Sequence, residues 1–172
     1  MTPPKPAVRT MPTQPSILLS VVLLLGVAIS FAALPQANAD NRRLNRGVVS
    51  NVYTVQRQAG CTGPLGVNPQ LQLAAEWHTR DILTNRALAA DVGSDGSTPQ
   101  VRASAAGYRG SVAETVAINP SFAISGLELI RKWYDDPDSL AIMRDCAYTH
   151  IGVWSEHSPD RTVVVAVYGA PA

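Results

Sequence analysis

The sequence predicts an α+β fold in which amphipathic helices come first and a sheet follows. Two patterns carry that prediction. Leu44, Val48 and Val52 recur every four residues, and Leu71, Ala74, Ala75, His78 and Ile82 share one face of a second helix. Near the C-terminus, Val163 to Val167 is a near-continuous apolar run, the pattern of a strand buried on both faces. Helices that precede a sheet must cover its faces in layers. With 46% hydrophobic and 16% charged residues, the 172-residue chain is neither disordered nor collagen-like.

The elements follow in order. The first helix is expected to end near Gly60, and Gly63-Pro64-Leu65-Gly66 reads as a turn. Asn68 and Pro69 suit the N-cap and first position of the second helix. His78 points inward on its face, where a histidine is expected to be hydrogen-bonded in the core. A polar loop runs from Asp91 to Pro99. Asp91 and Asp95 invite a calcium-loop reading, but the twelfth-position Glu is missing, and the competing reading is an Asx-type turn. Thr98-Pro99 opens a short helix that Gly107 closes.

Asn119-Pro120-Ser121 is expected to start the next helix. Its apolar stripes are Ala123, Leu127, Ile130 and Tyr134 beside Phe122, Leu129 and Trp133, and Asp135 to Asp138 stop it. Strands are expected over 150–155 and 162–168, joined through Ser158-Pro159-Asp160. If one strand continues through both, His150 and His157 lie on opposite faces and make a poor metal pair.

Residues 1–39 contain no acidic side chain, two basic ones (Lys5 and Arg9), and an apolar run from Ile17 to Leu34. With Ala37-Asn38-Ala39 as a small-x-small site, they read as a signal peptide cut before Asp40. The run is also long enough for a short membrane span, which would leave the protein anchored and facing outward. Either way residues 40–172 form one exported domain, a membrane being engaged only through an uncleaved segment. Without the signal, 12 basic and 13 acidic side chains remain. That balance argues against a nucleic-acid partner, which needs a basic field. Arg42, Arg43 and Arg46 cluster at the start of this domain and read as a solvated helix start rather than a lipid-binding patch. Cys61 and Cys146 are the only cysteines. An oxidising compartment favours pairing them, the alternative being two separate buried thiols.

The familiar catalytic signatures are missing: no Gly-x-Ser-x-Gly, no His-Glu-x-x-His, no phosphate-cradling glycine loop and no Cys-x-x-Cys. A Ser-His-Asp triad using Ser139 can be written on paper, but no elbow or oxyanion donors support it. The residues therefore assign no catalytic group, metal or cofactor.

Several stretches resemble a known family. Asn68-Pro69-Gln-Leu71-Gln-Leu-Ala74-Ala75-Glu-Trp-His78 is similar to the second helix of the CAP superfamily, the cysteine-rich secretory, antigen-five and pathogenesis-related proteins with SCP-like domains. Asp95-Gly-Ser-Thr-Pro99-Gln-Val-Arg102 followed by Ala106-Gly107-Tyr108 resembles its bacterial branch. Trp133, Pro137 and His150-Ile-Gly152-Val153 match later elements. The resemblance spans about residues 48 to 169 and implies a three-layer α-β-α sandwich. It also implies a cavity lined in other members by two His and two acidic residues that hold a divalent metal. The equivalent positions here are Asp91, Glu114, Asp136 and Ser139, so both histidines are missing. An all-oxygen set suits Ca²⁺ or Mg²⁺ better than zinc.

Three functions follow as expectations. The first is a secreted, non-enzymatic CAP-domain protein that binds a lipid or sterol, another hydrophobic small ligand or a cell-envelope component, as the resemblance implies for some members. The second is a metal-assisted hydrolase built on Asp91, Glu114 and Asp136. The third is a structural or antigenic surface protein.

Overall fold

A computed structural model describes residues 34–120 and 124–172. Most of the apolar run behind the export expectation lies outside the described residues, as do Phe122 and Ala123. Among the described residues no helix is long and apolar enough to cross a membrane.

Helix α1 spans Leu34–Gln58, and Gly60 follows it with a positive φ of 93°. Strand β1 is only Gly66–Val67. Helix α2, Pro69–Thr84, starts as its sequence says: the Asn68 side chain accepts from the backbone N–H of Gln70 and Leu71 at 3.0 and 3.1 Å. Helix α3 is Pro99–Ala105, capped by the Thr98 hydroxyl and closed by Gly107 at φ 90°. Strand β2 is Gly110–Asn119, α4 is Gly126–Asp135 and α5 is Pro137–Arg144. A hairpin of β3, His150–Ser158, and β4, Arg161–Pro171, ends the domain.

The four strands form one sheet in the order β1-β3-β4-β2. Its long strands pair antiparallel; β1 runs parallel to β3 and covers only His150 and Ile151. Helices cover both faces in an α-β-α sandwich. On one face, Val48, Val52 and Val55 of α1 join Leu129, Ile130 and Trp133 of α4 and Met143 of α5. They pack on Ile151, Val153, Val164, Ala166 and Tyr168. On the other, Leu71, Ala74, Ala75 and Ile82 of α2, with Ala103 of α3, pack on Val163, Val165 and Val167. Strand β4 thus alternates between two cores and is buried from Arg161 to Gly169, as the apolar run predicts. Helix α2 lies so close to β3 that a Cβ at Gly152 would collide with the backbone of Leu71 and Gln72. The Cys61–Cys146 disulfide is formed, with Cα atoms 5.3 Å apart, and ties the end of α1 to the segment between α5 and β3.

Three sequence expectations need correction. Strand β2 occupies residues to which no element was assigned. Helix α4 does not start at Asn119, which ends β2; it starts at Gly126, and the Ser125 hydroxyl caps it by accepting from Glu128 at 3.1 Å. Its buried side is Leu129, Ile130 and Trp133, whereas Leu127 is 78% exposed and Tyr134 42%. The Asp-Pro stretch that stops α4 also starts α5, because Asp136 caps the new helix by accepting from the N–H of Ser139 at 3.0 Å.

Candidate functional site

Strand β2 presents Val112, Glu114, Val116 and Ile118 to the α2 face and turns Thr115 and Ala117 to the α1 face. A carboxylate in that apolar row must find partners, because an isolated buried charge is costly. It finds two. Arg102 of α3 reaches both Glu114 oxygens with Nη2, at 3.0 and 3.1 Å, and Nδ1 of His78 on α2 lies 2.7 Å from Oε1. His78 has no exposed surface, and the Glu114 and Arg102 side chains almost none. The inward, hydrogen-bonded His78 expected from the sequence is found.

The same Nδ1 lies 3.0 Å from Arg102 Nη2. Arginine only donates, so Nδ1 cannot both donate to Glu114 and accept from Arg102 through one position. The shorter, charge-assisted bond to the carboxylate takes precedence, so Nδ1 carries the proton. The guanidinium is held further by the Ser97 and Asp91 carbonyl oxygens, each accepting at 2.7 Å. His78 Nε2 and Arg102 Nε are buried without a hydrogen-bond partner.

A pocket of about 340 Å³ adjoins this cluster, lined by Trp77, His78, Asp81, Ser94, Ser97 and Arg102 among others. Burial pushes the Asp81 carboxyl up, but bonds from the Ser94 hydroxyl and N–H and from Asn85 outweigh it and hold the group below its ordinary value. Asp95 accepts from the N–H of Ser97 at 2.8 Å, the Asx-type turn expected of this loop.

The positions carried over from the resemblance do not converge. Glu114 is committed to Arg102 and His78. Asp91 approaches the cluster with its backbone oxygen while its residue is exposed. Asp136 and Ser139 sit at the α4–α5 junction, and those helices pack on the opposite face of the sheet from Glu114. The Ser139 hydroxyl, and after it the Ser139 N–H, hold the Asp136 carboxyl below its ordinary value. Among the described residues no three His, Cys, Asp or Glu side chains come close enough to hold a metal ion. The donors present therefore do not fit the divalent ion that the resemblance implies. Sequence reasoning missed Arg102. The signal was a glutamate in a row of β-forming apolar residues, which demands a cation from a neighbouring element.

A second concavity lies between α1 and the edge of β3. A chamber of about 300 Å³ is walled by Val49, Val67 and Val153 and bordered by Arg42, Asn45, Arg46 and Gln72. Arg42, Asn45 and Gln72 also border a neighbouring chamber of about 410 Å³, so the two form one trough. Among the described residues no strand covers this edge of β3 beyond Ile151.

The cysteine-rich secretory protein family, abbreviated CAP, matches residues 46–168. No curated protein matches. Among solved structures, an outer surface protein of Borrelia burgdorferi superimposes with a TM-score of 0.65 at 14% identity, over 76% of this chain and 94% of that one. An extracellular protein containing an SCP domain from Bacillus anthracis gives 0.68 at 10% identity, over 79% and 43%. A cysteine-rich secretory protein of Staphylococcus aureus gives 0.58 at 12% identity, over 76% and 39%. The chain thus spans less than half the length of the last two, and at these identities the likeness is one of fold.

Proposed function

This chain belongs to the cysteine-rich secretory protein family, and from that premise we propose that it is an exported binding domain whose ligand is a small amphiphile with an acidic group. The observation that carries this reading is the apolar chamber between α1 and β3 with two cations at its rim. Val49, Val67 and Val153 offer a hydrocarbon chain a surface to leave water for. Val67 is 60% exposed, an apolar side chain left to solvent beside the opening. Arg42 and Arg46 have no carboxylate partner among the described residues, so their charge is available to an anion. Export is supported by the family and by relatives described as extracellular or outer-surface proteins.

A hydrolase reading has weaker support. Its base would be Glu114, whose oxygens both accept from Arg102 and one of which also meets His78. A base must reach the proton that it removes, and this carboxylate is occupied.

Lysophosphatidic acid is the simplest probe, having one chain and one phosphate. Titrated into the purified protein and followed by calorimetry, it is expected to bind saturably. Val67→Asp should abolish binding by placing a charge in the chamber. Arg42→Gln and Arg46→Gln should each weaken it about tenfold, the scale of one charge-assisted hydrogen bond. Absence of saturable binding, or binding indifferent to all three substitutions, rejects the reading.

A further inference from the structure

The second chamber of the trough differs in chemistry from the first. Its walls include Asn41, Gln72, Arg80, Trp154, Ser155 and Glu156, with Arg42 and Asn45 at the junction. More polar surface opens into this chamber than into the first, and its amide, guanidinium and carboxylate groups beside the indole offer donors and acceptors that a hydroxylated group can meet.

Much of this wall is already held in place. Glu156 Oε1 accepts from Arg80 Nε at 2.9 Å and from Trp154 Nε1 at 3.1 Å. The Arg80 guanidinium also pairs with Glu76 at 2.6 Å and lies over the Trp154 ring, 5.9 Å from its centre. A wall fixed before binding loses little entropy when a ligand arrives. At the junction, Asn45 Oδ1 is buried with no hydrogen-bond partner, an acceptor in want of a donor such as a hydroxyl.

The order along the trough is therefore apolar chamber, unpaired cation, polar chamber. We infer that the ligand is a phosphorylated polyol lipid. Its chain lies against Val49, Val67 and Val153, its acidic group meets Arg42, and its hydroxylated head group fills the chamber beside Trp154 and Glu156. This inference rests on the amphiphile reading above and names the class of head group.

The test compares lysophosphatidylinositol with lysophosphatidic acid of the same chain length, so that only the polyol differs. Against the purified protein the polyol lipid is expected to bind about tenfold more tightly, the scale of two hydrogen bonds. Asn41→Ala and Glu156→Gln should erase that advantage while leaving lysophosphatidic acid binding unchanged, and Val67→Asp should abolish both. Equal affinity for the two lipids overturns the inference and leaves the amphiphile reading standing. An advantage that survives both head-group substitutions also overturns it, since the polyol would then sit elsewhere. If neither lipid binds, the amphiphile reading falls and the inference falls with it.

Discussion

Adjacent residues of β2 show how differently the two faces of the sheet are held. Thr115 turns toward α1, where its hydroxyl meets that of Tyr168 at 3.0 Å amid valine, leucine and tryptophan. Burial there pushes the Tyr168 phenol well above its ordinary value, with the Thr115 bond opposing only in part, so it stays neutral. Glu114 turns toward α2 and meets an arginine and a histidine. One face is an apolar core containing a neutral polar pair, and the other is organised around an ion cluster. Such a cluster adds little net stability over a well-packed apolar one, because desolvation offsets the attraction, but it is very sensitive to the loss of one member. Along the trough beside β3, Arg80 is likewise held by Glu76 and Glu156, whereas Arg42 and Arg46 have no carboxylate partner among the described residues.

The largest test of this contrast is Glu114→Ala, which strands the Arg102 charge in the interior. Chemical denaturation should show a loss of about 3–5 kcal/mol, with Glu114→Gln recovering part of it. A loss comparable to that of a surface substitution would mean that the cluster is solvated and the contrast false. Next, Cys146→Ala should destabilise by about 2–4 kcal/mol, because an 85-residue separation is bridged. That change acts on the α1 face, so its effect should add to that of Glu114→Ala if the faces are independent. Thr115→Val removes a neutral hydrogen bond from one partner and should cost only about 1 kcal/mol, a clear step below Glu114→Ala.

The smallest effect concerns pH. The Asp81 carboxyl, beside the cluster, is held below its ordinary value of 3.8. A lowered folded-state pKa contributes stability that is fully present above the unfolded value and is lost as pH falls through the folded one. The gap in Tm between the wild type and Asp81→Asn should therefore be constant near neutrality and shrink as pH drops below about 4. A gap that widens on acidification would mean that the Ser94 bonds do not favour the charged form.

Much of the fold was legible in advance because its signals are local. Asn68-Pro69 caps α2, Thr98-Pro99 opens α3, Gly107 closes it, and the Val163–Val167 run marks the doubly buried strand. Each depends on residues within one or two turns of each other. Strand β2 was not legible, since Glu114 interrupts its apolar alternation and only Arg102 and His78, distant in sequence, make that position tolerable. Helix α5 was hidden because Asp136-Pro137 reads equally as the stop of one helix and the cap of the next.

By itself, the sequence determined the family, the layered α+β class, the capped helices and the inward His78, and it favoured the pairing of the two cysteines. Only the tertiary structure decided what the acidic positions do. A carboxylate has the same chemistry wherever it stands; its function depends on which charges face it once the layers close. Asp136 and Ser139 were sent to one side of the sheet and Glu114 to the other, and the alternation of β2 gave Arg102 to Glu114. The trough has the same origin: Arg42 on α1, Gln72 on α2 and Val153 on β3 meet only because α1 and α2 cover opposite faces and β1 stops after two residues, leaving the edge of β3 open between them.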